Sequence, residues 1–385
     1  MPAVMAGTDA VACVRWQEGG DTVAAPWHSE AGLAAPPRVE VADDTMRADD
    51  AYRLACAGTA LLWRGDFHNA RQLLQAMARR IDRRNAAAKP AANLTEAFHR
   101  KRMAQVQRAR ILGCVLVPVD ADCRIPLRRA PDVRDACLAA WGDAAVPCVV
   151  SLREVLGLVG AYEWRRRGVE IPALGDRIHP HYGVFSPVRG EYVDLVAQAP
   201  WPGGNVPASA FDIGTGTGVL AAVLARRGVA KVVATDQDER ALSCARDNAG
   251  RLGLSAAIAV VQADLFPEGR APLIVCNPPW VPGKPSSALE YAVYDPDSRM
   301  LRGFLGGLAA HLAPGGEGWL ILSDLAEHLG LRSRQTLLDW IAAAGLKVLG
   351  RLDARPVHGK ASDADDPLFL ARAAEVTSLW RLGIA

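Results

Sequence analysis

The sequence predicts a doubly wound α/β fold preceded by a mainly helical domain, and three observations lead to that prediction. The chain has 385 residues, which is enough for two domains that each bury a core. After the Pro/Gly-rich segment at 199–204, strand-like and helix-like segments alternate strictly, as in a parallel sheet covered by helices on both faces. Before about residue 170, apolar residues recur mainly at helical spacings.

The first part of the chain divides into a predicted tail and a predicted helical domain. Residues 1–45 are rich in Ala, Pro, Gly and acidic residues without periodicity, which indicates a flexible tail. Residues 46–175 are expected to form a mainly helical domain with one or two short strands. Helical patterns run from Ala51 through Leu61-Leu62-Trp63 and from Phe67 to Ile81, over 93–109, after Pro131 and over 152–167, and a strand is expected at ILGCVLVPV.

The second part, residues 176–385, carries the alternation. Its expected strands are ASAFDI, KVVATD, AIAVVQAD, PLIVCN, GWLILS, LKVLGRL and PLFLARAAEV. Helices are expected from Val219, up to Leu252, over 299–312 and over 335–344. Sheets of this kind bind ligands beyond the carboxyl ends of their strands, so the candidate site is sought there.

Composition limits the classes of protein to consider. Half of the residues are hydrophobic and 22% are charged, which is typical of a globular chain. No apolar run is long enough for a membrane span, and the N-terminus lacks the pattern of a secretory signal, so we expect a cytoplasmic protein. The eight cysteines form no C-x-x-C pair, so we expect reduced thiols and no metal site.

Positive charge is concentrated in the predicted helical domain. Residues 46–170 contain 22 Lys/Arg against 13 Asp/Glu, in runs such as ARRIDRR, HRKRMAQVQRAR and EWRRRG. Such runs suit a surface that contacts phosphates, although they are also common on solvated helix faces. A surface that docks a protein is an equally open interpretation, and either would make this domain the part that recognises the substrate.

A glycine-rich loop follows the first strand of the alternating part. In FDIGTGTGVLA, Gly214, Gly216 and Gly218 allow a sharp strand-to-helix turn and let a ligand approach the backbone amides. The spacing is G-x-G-x-G, whereas nicotinamide dinucleotide folds use G-x-G-x-x-G. Asp212 lies on the strand just before the turn and is included among the predicted cofactor-binding residues.

Carboxylates follow the next two strands. Asp236 ends KVVATD, where its carboxylate can accept bonds from both hydroxyls of a ribose. Asp264 ends AIAVVQAD and is placed to accept a bond from the exocyclic amine of an adenine, with Leu265 and Phe266 as apolar neighbours of the ring. Each acid alone is more often a helix cap, but the succession at neighbouring strand ends predicts an adenosyl site.

Four motifs in order, FDIGTGTGVL, ATDQDERAL, QADLF and NPPW, resemble those of class I S-adenosylmethionine-dependent methyltransferases with an Asn-Pro-Pro-aromatic motif. Over about residues 178–375 the chain is similar to the HemK-type glutamine methyltransferases and to the "small" methyltransferase domains that act on RNA bases. The resemblance implies a Rossmann-like seven-stranded methyltransferase sheet and S-adenosylmethionine as cofactor. Phe185, Pro187 and Glu191 match a flanking segment loosely. The run from Pro187 to Glu191 departs from the Pro-Arg-Pro-x-Thr-Glu pattern of release-factor enzymes, which counts against strict membership of that group.

The resemblance also gives roles to the NPPW corner. The side-chain oxygen of Asn277 and the carbonyl of Pro278 are expected to hold two N–H hydrogens of a planar nitrogen and aim its lone pair at the methyl group. Trp280 is expected to stack on the acceptor. Asn277, at a strand end beside the glycine loop, is also counted among the cofactor-binding residues.

Several acceptors and functions remain open at this point. A base amine in RNA or DNA and a glutamine amide in a translation-related protein are nearly equal alternatives, and a small metabolite is a third. The chain is alternatively a non-catalytic S-adenosylmethionine-binding module, or a nicotinamide enzyme, which the glycine spacing and NPPW disfavour. Sequence predicts neither the oligomeric state nor a role for residues 1–45.

Overall fold

The computed structural model describes residues 12–87, 89–142, 146–285, 288–356, 363 and 366–385. The chain forms two compact units. The first unit comprises residues up to Lys89 together with Arg102–Tyr162, and the second comprises Pro90–Lys101 together with Glu163–Ala385. The first eleven residues of the predicted tail lie outside the described part of the chain.

The first unit contains a six-stranded mixed sheet with the order β1-β2-β6-β5-β4-β3. Strands β3, β4 and β5 are parallel to one another, and β6 pairs antiparallel with β5 and parallel with β2. The elements from the start of the chain are β1 Cys13–Glu18, β2 Asp21–His28, β3 Arg38–Ala42, α1 Ala48–Cys56, β4 Thr59–Trp63, α2 Phe67–Ala86, α3 Leu94–Leu112, β5 Val115–Val119, α4 Arg134–Trp141, β6 Cys148–Ser151 and α5 Leu152–Arg167. The beginning of α3 and the end of α5 group with the second unit.

This sheet corrects two expectations. Where a tail without regular structure was expected, residues 13–42 carry β1, β2 and β3. The run Leu61-Leu62-Trp63, assigned to a helix, lies in β4, whose five residues are all buried. A strand that is buried on both faces is continuously apolar and lacks the two-residue alternation by which strands are recognised. The predicted helices are present, but the strands of this region number more than one or two.

The second unit contains the seven-stranded doubly wound sheet, with the order β11-β10-β9-β12-β13-β15-β14. Its strands β11, β10, β9, β12 and β13 are parallel, as expected. The elements that follow α5 are β7 Val169–Ile171, β8 Asp176–Ile178, α6 Glu191–Gln198, β9 Ser209–Ile213, α7 Val219–Arg226, β10 Lys231–Asp236, α8 Glu239–Arg251, β11 Ile258–Gln262, β12 Ala271–Cys276, α9 Arg299–His311, β13 Leu312–Ser323, α10 Leu325–His328, α11 Arg334–Ala343, β14 Leu346–Ala354, α12 Phe369–Ala374 and β15 Thr377–Ile384.

The last strand differs from the prediction. PLFLARAAEV, expected as a strand, contains the short helix α12, and the strand is the next segment, Thr377–Ile384. It inserts between β13 and β14 and runs antiparallel to both. Six of its eight residues are buried, so burial against these neighbours places the strand there. The edge of the sheet is therefore mixed rather than wholly parallel.

Both faces of this sheet are covered, which explains the apolar strands. Val275 and Ile321 pack on one face with residues of α6 and α7. Ile274 and Leu320 point to the other face and pack with residues of α9 and α11. Alternate side chains of each central strand thus enter separate cores, and the carboxyl ends of the strands are left to form a site. In the described ranges, no helix combines the length and apolar character required to span a bilayer.

Candidate functional site

Three predicted site residues lie next to one another at the carboxyl edge of the second unit's sheet. Ile213 of β9 pairs in register with Thr235 of β10 on one side and with Cys276 of β12 on the other. The residues that follow these three are Gly214, Asp236 and Asn277. Adjacent strands lie about 4.8 Å apart. The loop glycine, the acid and the amide therefore occupy equivalent positions on neighbouring strands.

The glycine loop has backbone geometry that favours glycine at all three positions. Gly214, Gly216 and Gly218 have φ values of 71°, 55° and 80°, in the left-handed region that side chains disfavour. A Cβ on Gly218 would lie 3.2 Å from the backbone of Ala245, whereas a Cβ on Gly216 would meet no atom within 4 Å. The loop therefore packs closely against α8 at Gly218 and leaves open space at Gly216.

Asp212 is turned into the loop rather than toward the open space. Its side chain is buried, and Oδ2 accepts hydrogen bonds from the Thr215 hydroxyl at 2.6 Å and from the Ala221 amide at 3.0 Å. Burial raises the pKa of the Asp212 carboxyl to about 6, although these two hydrogen bonds act in the opposite direction. These contacts support a proposed role for Asp212 in shaping the loop from beneath.

The raised pKa of Asp212 predicts a pH-dependent cost to stability. The folded form holds its proton up to about pH 6, whereas the ordinary pKa is 3.8, so this group lowers stability as pH rises between those values. Asp212→Asn keeps an oxygen that accepts both bonds and removes the buried charge. We expect it to raise the free energy of unfolding at pH 7 by about 3 kcal/mol, from a shift of roughly two pKa units.

The measurement is urea unfolding at pH 7 and at pH 3, where the carboxyl is protonated in the folded state and largely so in the unfolded one. The difference between Asp212→Asn and the wild type should shrink toward zero at the lower pH. Asp339→Asn, at an exposed position on α11, is the control and should follow the wild type. Parallel pH dependences of the wild type and the Asp212 variant would contradict the buried charge as the cause.

Asp236 closes the loop from the neighbouring strand. Its Oδ2 accepts from the Gly216 amide at 3.1 Å, and its Oδ1 accepts from the Asp238 amide at 3.1 Å. Burial raises the pKa of Asp236 above its ordinary value. Each carboxylate oxygen has a second lone pair. The side chain is thus fixed in orientation and keeps acceptor capacity for a ligand's hydroxyl groups.

The residues after β11 are placed differently from one another. Asp264 is exposed, with Arg299 at 3.9 Å as an ionic neighbour. Leu265 is half-buried, has a φ of 74°, and its carbonyl accepts from the Thr235 hydroxyl at 2.6 Å. Phe266 stacks on His311 with ring centroids 4.3 Å apart, and so belongs to the packing under α9. Asp264 and Leu265 remain candidates for adenine contacts.

At the NPPW corner, the side chain of Asn277 is held by Trp280. The indole Nε1–H of Trp280 donates to Asn277 Oδ1 at 2.8 Å. Because an indole N–H only donates, this bond fixes which end of the amide is the oxygen. One lone pair of that oxygen is engaged and the other is available to an acceptor's N–H. Sequence reasoning gave Trp280 only a stacking role and missed this contact.

The chain after the corner is anchored by buried polar residues. Pro278 is buried, and Val281 exchanges backbone hydrogen bonds with the 293–295 segment. Asp295 accepts from the amides of Met300 and Leu301, each at 3.1 Å, and so caps the start of α9. Arg332, also buried, donates to the Trp280 carbonyl at 3.4 Å. Neither Asp295 nor Arg332 was recognised from the sequence, because a lone acid in a turn and a lone Arg carry no pattern.

A segment assigned by sequence to the N-terminal domain packs beside this corner. Ala97 and Phe98, near the start of α3, share an apolar cluster with Val281 and Leu329, and Trp280 packs against the same cluster. The Thr95 hydroxyl donates to the Leu329 carbonyl at 2.7 Å. These contacts lie within the second unit. The residues around the candidate acceptor site therefore include an early segment, at 95–98, as well as the segments that follow the NPPW corner.

In the flanking segment before β9, both histidines have polar neighbours within the protein. His181 Nε2 lies 3.1 Å from Asp247, and His179 Nδ1 lies 2.7 Å from the Arg165 carbonyl. Burial lowers the pKa of His181. Glu191 is buried at the start of α6 and Pro187 is also buried, whereas Phe185 is half-buried. Both histidines therefore serve the packing of this segment against α8 and α5.

Comparison with known proteins shows what this part of the chain is similar to. Residues 181–333 match the methyltransferase small domain. A release factor glutamine methyltransferase of Cereibacter sphaeroides is 34% identical over 166 residues, which are 38% of this chain and 57% of the relative. A ribosomal protein L11 methyltransferase of Pelotomaculum thermopropionicum is 47% identical over 78 residues, 20% of this chain and 24% of the relative. A tRNA1(Val) (adenine(37)-N6)-methyltransferase of Pedobacter heparinus is 33% identical over 150 residues, 37% of this chain and 61% of the relative.

Among solved structures, a putative RNA methyltransferase from Pyrococcus horikoshii aligns with a TM-score of 0.39 at 16% identity, over 59% of this chain and 99% of that chain. The chain covers less than two thirds of the length of each of the curated relatives described above. The family match spans the glycine loop, Asp236, Asp264 and the NPPW corner. Residues 181–333 are therefore similar to the methyltransferase small domain, over a stretch that contains the whole candidate site.

Proposed function

We propose that the protein is an S-adenosylmethionine-dependent N-methyltransferase whose acceptor is a planar nitrogen bearing two hydrogens. One observation carries this proposal. Asn277 stands next to the glycine loop at the sheet edge, its side-chain oxygen oriented by the Trp280 indole at 2.8 Å. A fixed amide oxygen beside an adenosyl site suits the recognition of an N–H group.

The residues at the edge fit the proposed cofactor. Asp236 offers two acceptor oxygens of fixed orientation, as two ribose hydroxyls require. The open space over Gly216 is where a side chain would otherwise stand, and it suits a ligand lying close to the backbone. Asp264 and Leu265 follow the adjoining strand and complete the adenosyl side. The bound cofactor supplies a methyl group made electrophilic by a sulfonium.

The remaining chemistry belongs to the acceptor corner. The lone pair of a planar nitrogen is delocalised, so the nitrogen must be held to direct that pair toward the methyl group. Asn277 Oδ1 and the Pro278 carbonyl are the proposed acceptors of its two N–H bonds, and the fixed φ of the prolines keeps the carbonyl aimed. Positive charge that develops on nitrogen strengthens both bonds, so the corner binds the transition state more tightly than the ground state.

Two acceptor classes share the required chemistry. Glutamine and adenine N6, named in the descriptions of two relatives, both present an NH₂ group on a planar carbon. The first unit adds an observation that favours nucleic acid: Tyr52, Arg80, Arg83 and Arg84 line one surface depression, with the Arg80 guanidinium carbon 5.2 Å from the Tyr52 ring centroid. Cationic side chains around an aromatic ring suit phosphate and base contacts. We propose a macromolecular acceptor in the cytoplasm, RNA or DNA first and a translation-related protein second.

To test this, the purified protein and S-adenosylmethionine with a tritiated methyl group are added to extract of cells that lack the protein. The extract is then separated into RNA, DNA, protein and small molecules, and the label in each fraction is measured. We expect label in a macromolecular fraction. Label in small molecules alone would contradict the macromolecular acceptor. No label in any fraction, with cofactor binding intact, would contradict the enzymatic proposal and favour a binding module.

A further inference from the structure

The corner residue Trp280 is held on its ring face as well as at its indole nitrogen. The guanidinium carbon of Arg189 lies 5.7 Å from the centroid of the Trp280 ring, within the range of a cation–π contact. Arg189 Nη1 also donates to Glu375 Oε1 at 3.1 Å. A continuous set of contacts thus runs from Glu375 through Arg189 and Trp280 to Asn277.

Glu375 is the fixed end of this set. Its side chain has no exposed surface, and its Oε1 also accepts from the Ser323 hydroxyl at 2.7 Å. The second oxygen, Oε2, is buried and has no hydrogen-bond partner. A buried carboxylate is costly unless a cation compensates it, so the Arg189 guanidinium is strongly held at this place.

The set also lies at the edge where the acceptor site is proposed. Ser323 is the last residue of β13 and pairs in register with Thr377, the first residue of β15. Strand β13 is the direct neighbour of β12, which Asn277 follows. The ion pair between Arg189 and Glu375 therefore lies on the same side of the sheet as the NPPW corner.

We propose that Arg189, fixed by Glu375, is a positioning residue that sets the orientation of the Trp280 ring and, through the indole N–H, of the Asn277 amide. This inference rests on the proposed function for its catalytic consequence. A planar guanidinium restricts the tilt of the ring, and a restricted ring keeps its N–H aimed at Asn277 Oδ1. The Arg189 guanidinium also occupies one face of the Trp280 ring, so an acceptor stacks on the opposite face.

A simpler role competes with this one: Arg189 neutralises Glu375 and nothing more. The double variant Arg189→Met/Glu375→Gln separates the two roles, because it removes both charges and keeps similar volumes. Under the neutralising role, the variant behaves as the wild type in every measurement. Under the positioning role, it keeps its folded stability and loses the orientation of Trp280.

The experiment reads Trp280 directly. In ¹H–¹⁵N spectra of the full chain, the Trp280 indole signal is identified as the one missing in Trp280→Phe. In the double variant we expect this signal to move upfield and its hydrogen exchange to accelerate about tenfold, because the bond to Asn277 weakens. Methyl transfer by the double variant, measured in the extract fraction that the wild type labels, should fall roughly 10- to 100-fold. Its affinity for S-adenosylhomocysteine, measured by calorimetry, should be unchanged.

Arg351→Met is the matched control, since Arg351 lies 5.2 Å from the centroid of Trp380; the Trp280 signal should stay in place. An unmoved Trp280 signal in the folded double variant overturns the proposal. If the double variant does not fold, Arg189→Lys decides by the same signal, because lysine keeps a cation beside Glu375 but lacks the planar group. If the wild type transfers no methyl group but the Trp280 signal shifts in the double variant as expected, the proposed function is refuted and the positioning role of Arg189 is retained.

Discussion

Asn277→Ala is expected to lower the rate of methyl transfer by about 10²- to 10³-fold, the usual cost of removing one preorganised polar group from an active site. The side-chain oxygen that accepts from Trp280 at 2.8 Å is lost, and with it the second lone pair that we assign to the acceptor's N–H. The glycine loop and Asp236 are untouched. Affinity for S-adenosylhomocysteine, measured by calorimetry, should therefore be that of the wild type.

The control for this variant is Asn205→Ala. Asn205 is exposed, and its side-chain amide donates to the nearby Gly203 carbonyl at 3.3 Å. It should leave both transfer and cofactor binding unchanged. Wild-type activity in Asn277→Ala would defeat the proposed mechanism, whereas loss of cofactor binding along with activity would show that Asn277 serves the cofactor side of the edge.

The positions of the candidate site were predictable because they follow strands that the sequence marks clearly. The segments ending in Asp236 and Cys276 are apolar runs bounded by turn residues, and parallel strands bring their carboxyl ends together. The roles of the side chains were less predictable. Asp212 and Asp236 are both acids near the same edge of the sheet. The sequence does not indicate that the Asp212 side chain is buried in the folded loop, where it accepts hydrogen bonds from Thr215 and Ala221.

The parts that sequence did not predict depend on contacts between distant segments. Strand β15 is placed by β13 and β14, which flank it, and a nearby apolar stretch, PLFLARAAEV, was the stronger local candidate. Arg189 and Glu375 are 186 positions apart. No local pattern distinguishes either from a solvated charge, and their connection exists only once the sheet brings Ser323 beside Glu375.

Asp236→Ala is expected to weaken binding of S-adenosylhomocysteine by roughly 10²- to 10⁴-fold, since it removes two hydrogen bonds to a charged acceptor, worth about 1.5–3 kcal/mol each. It also removes the Gly216 amide's partner at 3.1 Å. Asp236→Asn separates the two effects, because its one oxygen still accepts from the Gly216 amide, whereas its NH₂ group replaces the oxygen that accepts from Asp238 and presents a donor where the ribose needs an acceptor. We expect it to lie between the wild type and the alanine variant.

Asp339→Ala, an Asp→Ala change at an exposed position, is the matched control and should bind as the wild type does. The affinity of Asp236→Asn for S-adenosylhomocysteine then decides which role Asp236 has at this edge of the sheet. If this variant binds as the wild type does while Asp236→Ala does not, Asp236 acts by holding Gly216 in its left-handed conformation, and the ribose contact must be assigned elsewhere. If both variants lose affinity, the ligand itself needs the carboxylate. The strand register places Asp236 beside Gly214, and Gly214 beside Asn277, so the proposed cofactor and acceptor sites then share one edge of the sheet.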